Sequence, residues 1–207
     1  MANRFAPMFE QVDGQPVSRR DELLSIAAGL MADFGFAGVT VDDIGAAAGI
    51  SGPALYHHFD SKEAMLGEML VRISESLLAK GRLIEAADET GDGGDRLVAL
   101  IAMHVDFAVD NQSLITVHFR DLVHASNGDR RRVRDLQNAY VDIWVRVLAG
   151  DDTEWIGSKA ARAAVHAVLG LINSTPHSGR ARRDDMVPLL NSMSAAALAA
   201  ARRVPRE

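Results

Sequence analysis

The sequence predicts an all-α protein of about nine helices, and three observations carry that reading. Apolar residues recur at intervals of three and four, not two. A small polar residue with an acid three positions on, the signature of a helix start, appears repeatedly. No stretch of strand length alternates apolar with polar residues, and no internal repeat or low-complexity linker interrupts the chain.

Residues 1–17 hold Pro7, Gly14 and Pro16 without a steady period and are expected to form a flexible arm. Ser18 then caps a first helix with Asp21 in its first turn. Leu23, Leu24, Ala27, Ala28, Leu30, Met31 and Phe34 make its apolar face, and Gly35 and Gly38 end it. Thr40 and Asp43 pair as a capping box before Ile44, Ala47 and Ala48, and Gly49 closes this short second helix. Ser51 caps a third helix running to about Phe59, with Pro53 in the first turn, where a missing N–H costs nothing. Asp60 with Glu63 opens a long fourth. After a loop at residues 91–94, helices are expected over about 95–110, 113–124, 129–149, 154–175 and 181–203. Pro176 should end the penultimate one, because the residue before a proline avoids the helical region.

The 207 residues suffice for one large domain or two small ones. Hydrophobic residues at 48% and charged residues at 24% fit an ordinary soluble protein. The absence of Cys excludes disulfides, thiolate metal sites and a Cys nucleophile, and fits a cytoplasmic setting. The first residues lack a basic region leading into an apolar run, so no signal peptide is expected. No apolar stretch reaches eighteen residues, so no membrane span is expected either. The net charge is −6, and residues 1–80 carry 6 Lys+Arg against 11 Asp+Glu. Any contact with nucleic acid must therefore rest on where a few groups point, not on a basic domain.

The stretch ISGPALYHHFDSK, residues 50–62, gives such groups a place. Two short helices joined by a glycine turn, after a longer helix, make a helix-turn-helix. Ile50 and Leu55 should pack inward. The position four before the turn glycine, where the helices cross closely, needs a small residue. Gly45 fills it, at about 1 kcal/mol of helix propensity relative to Ala. The front of the third helix, Ser51, Gly52, Pro53 and Ala54, is small enough for backbone to approach base edges in a major groove. Tyr56 and His57 behind it can reach phosphates. Lys62 and Thr40, each at a helix start with free N–H groups, also suit phosphates. Arg19 and Arg20 start the first helix and are further candidates.

The segment TVDDIGAAAGISGPALYHHFDSKEAML resembles the DNA-binding domain of the TetR/AcrR family of one-component transcriptional regulators, a likeness that extends over about residues 18–66. The resemblance implies a homodimer. A helix-turn-helix DNA-binding domain at 18–64 would be followed by an all-α bundle at 65–207 that binds an effector and dimerises. It implies a cytoplasmic repressor on a palindromic operator, without catalytic residues, cofactor or membrane association. Release would come from a small lipophilic or acyl-type effector. The segment GLINSTPHS is similar to regulators of acyl-CoA or fatty-acid breakdown. In the family the last two helices form the dimer, and Ala164, Gly170, Ala197 and Ala200 would permit that close approach.

Met103, His104, Phe107, Val117, His118, Phe119, Leu122, Tyr140, Trp144, Leu169, Ile172 and Asn173 are candidates for an effector pocket, mostly apolar with a few polar groups. No His pair sits four apart, and no HExxH motif occurs, so a metal site is not expected. DRRRVRD, residues 129–135, reads as a solvated helix start. The competing reading is a helical bundle that binds no DNA, either an enzyme or a dimeric scaffold. Against an enzyme stand the missing Cys, nucleophile elbow and phosphate loop. Specific DNA retention with a steep salt dependence separates the readings.

Overall fold

The computed structural model describes residues 18–87, 94–178 and 181–204. The expected arm over 1–17 and residues 91–93 of the expected loop lie outside them. All regular elements among the described residues are helical: α1 (Arg19–Phe34), α2 (Val41–Ala47), α3 (Gly52–Leu55), α4 (Lys62–Ala86), α5 (Gly94–Asp110), α6 (Gln112–Asp121), α7 (Asn127–Ala149), α8 (Thr153–Ile156), α9 (Lys159–Ile172) and α10 (Arg183–Ala201), with 3₁₀ turns at Leu122–His124 and Thr175–His177. They form two compact units. One takes its described residues from 18–74 and 111–134, the other from 75–110 and 135–204, so α4 and α7 contribute to both.

In the first unit Leu23, Leu24, Ala27 and Met31 of α1 are buried with Ile44 of α2 and with Met65, Leu66, Met69 and Leu70 of α4. The Ser18 cap forms as expected, its Oγ accepting from the Asp21 N–H at 3.1 Å. Ion pairs tie α1 to α4: Arg20 to Glu68, and Arg72 to Asp21 at 2.6 Å. Burial raises the Asp21 carboxyl, but the bonds from Ser18 and Arg72 outweigh it and hold the group below its usual range. α6 packs on α1. Its Arg120 donates to the Met31 carbonyl, which also accepts from the Gly35 N–H at 2.8 Å, and to the Ala32 carbonyl at the end of α1. The buried Asp121 holds that guanidinium at 2.9 Å.

Phe34 is a correction, being 66% exposed instead of completing the α1 face. Gly35, at φ 80°, turns the chain so that Phe36 takes the inward place and stacks on His124 at 4.9 Å. The third helix is also shorter than expected. After Leu55 the bonds run from residue i to i−3, His57 N–H to Ala54 O and His58 N–H to Leu55 O, so Tyr56–His58 wind as a tighter turn. The expected helix over 154–175 is two helices. Gly157 breaks it, Ser158 caps α9 through the Ala161 N–H, and α9 stops at Ile172. Pro176 sits inside the following 3₁₀ turn and does not end the helix itself.

The second unit buries Leu100, Ile101 and Val105 of α5, Ile143, Trp144 and Leu148 of α7, Val165, Val168 and Ile172 of α9, and Leu190 and Leu198 of α10. α10 packs on α5 and α9. Thr175 Oγ1 donates to the Ala108 carbonyl at 2.8 Å, and Arg183 bridges Asp106 at 2.7 Å and Asp110 at 2.9 Å.

The α2–α3 crossing is a close approach of backbone to backbone. A Cβ on Gly45 would lie 2.9 Å from both the Gly52 nitrogen and the Ile50 oxygen. Overpacking of that kind costs about 1–3 kcal/mol. Gly45→Val should accordingly shift the urea midpoint of the helix-turn-helix unit downward by about 2 kcal/mol of stability, measured by circular dichroism; an unchanged midpoint would show that the crossing can relax.

Candidate functional site

The helix-turn-helix is built from local signals. Thr40 Oγ1 accepts from the Asp43 N–H at 3.1 Å. The Asp43 carboxylate accepts from the Thr40 N–H at 2.8 Å and its hydroxyl at 2.6 Å, bonds that hold the Asp43 carboxyl below its usual range. Gly49 at φ 68° makes the turn, and the Ile50 N–H returns to the Gly45 carbonyl at 2.9 Å. Leu55 and Phe59 are buried beneath α3. Ser51, Pro53, Tyr56 and His57 stand exposed on it, with Ala54 half-buried. Thr40 is exposed at the head of α2.

Two expected DNA contacts need correcting for the chain as it stands. Gly52 is buried, not presented outward, because the Asp42 carboxylate lies against it where a Cβ would project. Lys62 does not extend into solvent. Its ammonium donates to the Val39 carbonyl at 2.5 Å and the Phe36 carbonyl at 2.7 Å, and lies 4.2 Å from the centroid of the Phe36 ring. It thereby pins the start of α4 to the α1–α2 connection. The candidates Arg19 and Arg20 are engaged in the same way. Arg19 bonds Glu22 at 2.6 Å and the Ala48 carbonyl at 2.5 Å; Arg20 bonds Glu68 and the His58 carbonyl and covers the Phe59 ring.

The pocket candidates divide between the units. His118 and Phe119 belong to α6 in the first unit, and Phe119 is 68% exposed, since α6 turns its Leu114, Ile115 and Val117 side inward. Val117 and Leu122 also belong to the first unit, and the second unit brings the rest together. His104 of α5 is fully enclosed, with Nε2–H donating to Asn173 Oδ1 at 3.2 Å and Nδ1 accepting from the Tyr140 hydroxyl at 3.1 Å. That arrangement fixes one neutral tautomer. Burial lowers the His104 pKa to about 4 despite the Asn173 bond, and raises that of Tyr140. Phe107, tilted, and Trp144, edge-on, pack around the imidazole at centroid distances of 5.8 and 6.0 Å. The buried Trp144 indole N–H faces the Tyr140 hydroxyl closely enough to offset part of the rise in the Tyr140 pKa, but without full hydrogen-bond geometry. Met103, Phe107, Leu169 and Asn173 are half-buried beside this cluster's elements on α5 and α9. Among the described residues no group of three or more His, Asp or Glu could hold a metal, and no helix is long and apolar enough to cross a membrane.

Ser51 precedes α3 with extended backbone, but its side chain makes no capping hydrogen bond, contrary to the expectation from sequence. Small exposed residues on this recognition helix, followed by an all-helical unit with an enclosed polar cluster, define a DNA-binding regulatory protein. The chain belongs to the TetR family of bacterial regulatory proteins: the family's N-terminal domain matches residues 23–69, and the tetracyclin repressor-like C-terminal domain matches residues 90–177. Its members are DNA-binding transcriptional regulators, not enzymes. Among relatives, the chain is 36% identical over 131 residues to the transcriptional repressor KstR2 of Rhodococcus jostii, covering 63% of each protein. It is 35% identical over 141 residues to KstR2 of Mycobacterium tuberculosis H37Rv, covering 67% of this chain and 69% of that one. The match thus spans about two thirds of these curated relatives. The solved structure of the ketosteroid regulator KstR2 of Mycobacterium tuberculosis superposes with a TM-score of 0.68 at 27% identity, over 92% of this chain and 98% of that one.

Sequence reading missed the Arg120–Asp121 clasp on α1; its one trace is a charged pair ending a helix whose preceding turns are apolar. Two outcomes follow from these geometries. Lys62→Met should lose about 2 kcal/mol of stability, because two charge-assisted bonds to carbonyls disappear, leaving Phe36 O only a long bond from the Val39 N–H at 3.5 Å; chemical unfolding measures this. For His104 the folded pKa lies below the unfolded value near 6.5, so the unfolded chain binds the proton first. Its contribution is complete above about pH 6.5 and is lost as pH falls toward 4, on the order of 3 kcal/mol in all. The unfolding free energy of the unaltered protein should fall more steeply across that window than that of His104→Gln.

Proposed function

We propose that the protein is a ligand-responsive repressor that binds a partly palindromic operator as a homodimer and leaves it when a small lipophilic molecule occupies the second unit. The observation that carries this is the recognition helix, with Ser51, Pro53, Tyr56 and His57 exposed on a braced helix-turn-helix. Functionally the chain reads as an arm at 1–17, a DNA-binding domain at 18–64 and an effector-binding and dimerisation domain at 65–207. Thr40, Ser51, Pro53, Ala54, Tyr56 and His57 serve as DNA contacts. Dimerisation is supported by α9 and α10. Leu189 at 52% and Met193 at 44% exposure, with Gly170 and Ala200 exposed and Ala164 and Ala197 half-buried, form an apolar surface of small residues on these helices.

The effector site is the cluster around His104. The Trp144 indole N–H, held only at poor geometry by the Tyr140 hydroxyl, would gain a better partner in a ligand oxygen. That favours a lipophilic molecule with a carbonyl group. Acyl-type compounds fit, and the relative named for ketosteroids points the same way. α4 and α7 carry residues of both units, so an adjustment around the ligand can pass along continuous helices. A ligand acts only by its differential affinity for the two forms. A hundredfold loss of operator affinity needs about 2.7 kcal/mol of such coupling.

Selection from random duplexes should enrich a palindrome with half-sites about one helical turn apart. Met193→Glu, at a position exposed in the single chain, should sediment as a monomer and bind that site at least tenfold more weakly. Mass spectrometry of the purified protein should find a carbonyl-bearing lipophile, and Asn173→Leu, which frees His104, should raise the concentration needed for operator release about tenfold. No enriched sequence would sink the DNA reading; an unchanged effector response in Asn173→Leu would place the effector elsewhere.

A further inference from the structure

Sequence-specific contact in a major groove uses a small set of side chains. Arg and Lys read guanine through O6 and N7, Asn and Gln read adenine through N6 and N7, and small apolar groups read the methyl of thymine. Residues 18–74 contain no Asn and no Gln. Their four Lys and Arg residues, Arg19, Arg20, Lys62 and Arg72, each bond to carboxylates or carbonyls within the unit. What α3 presents instead is the Pro53 ring, the Ala54 methyl, the Ser51 hydroxyl and, behind them, Tyr56 and His57. The exposed Asp42 carboxylate beside Gly52 can only accept, so it offers nothing to guanine O6 or N7. Freeing any of the four cations would break these internal bonds.

Resting on the operator-binding reading above, we propose that the recognition helix reads its half-site through thymine methyl groups packed on Pro53 and Ala54, assisted by uncharged side chains, and makes no paired contact with guanine. The burial of Gly52 supports this arrangement. It sets the start of α3 down against α2 and leaves Pro53 and Ala54 as the foremost groups of the helix. The same four internal bonds imply that few counterions are released when the helix-turn-helix meets phosphates. The steep salt dependence expected of DNA retention in general is therefore replaced by a shallow one for this domain.

The test uses the full chain and the duplex that selection enriches. Each thymine of a half-site is replaced singly by deoxyuridine, which removes only the C5 methyl. Each guanine is replaced by 7-deazaguanine, which removes only the major-groove N7 acceptor. At one or two positions per half-site deoxyuridine should weaken binding about fourfold, the value of one buried methyl-sized group. 7-Deazaguanine should change binding less than twofold everywhere. Ala54→Gly should abolish the difference between thymine and deoxyuridine at one of those positions, a comparison that a general loss of stability would not produce. Deoxyuridine without effect at all positions, or a tenfold loss with 7-deazaguanine, overturns the proposal while leaving operator binding intact. Failure of selection to enrich any sequence overturns operator binding and this proposal with it.

Discussion

The closeness of α2 to α3 governs the reading surface. With no side chain at Gly45, the backbone of residues 50–52 settles onto α2, and the Asp42 carboxylate closes over Gly52. Both effects follow from missing Cβ atoms, and both cost helix propensity, since Gly holds a helix about 1 kcal/mol less well than Ala. The compensation comes from the elements around the crossing: the Thr40–Asp43 box fixes the head of α2, and Leu55 and Phe59 anchor the far side of α3. A four-residue helix has too few internal hydrogen bonds to stand alone. Its orientation is thus a property of its supports.

Charge in this unit is spent on bracing. Arg20 and Arg72 join α1 to α4, Lys62 joins α4 to the α1–α2 connection, and Arg19 reaches the end of α2 at Ala48. Exposed ion pairs contribute little, typically below about 1 kcal/mol. Bonds to carbonyls left unpaired at helix ends contribute more, because those acceptors have no alternative partner except water. The acidic excess of residues 1–80 is consistent with this use of its cations.

Much of the fold was legible because it is written in short-range code. Ser18 and Thr40 cap through bonds three residues away, and such bonds show in spacing alone. The helix-turn-helix was legible for the same reason, down to the buried Leu55 and Phe59. What spacing cannot show is where a long side chain ends. Lys62 sits at a position suited to phosphate, yet two carbonyls more than twenty residues upstream claim it. The pocket candidates were chosen by composition, which assigns no helix to a unit, so His118 and Phe119 were grouped with residues of the other unit. Phe34 obeyed the helical period but lost its place to Phe36 once Gly35 turned the chain.

The first unit is discontinuous in the chain, because α6 and the start of α7 complete it after residues 75–110 have gone to the other unit. A ribosome therefore finishes the whole of α5 before the last part of the DNA-reading unit emerges. Until then the Met31 carbonyl has only the Gly35 N–H and the Ala32 carbonyl only water to bond, and Arg120, which will cap both, has not been made. Folding of the reading head is thereby tied to synthesis of the sensing half. The modular boundary for exchange between relatives falls accordingly at two cuts in the chain and not one: a transplanted head needs residues 111–134 as well as the helix-turn-helix.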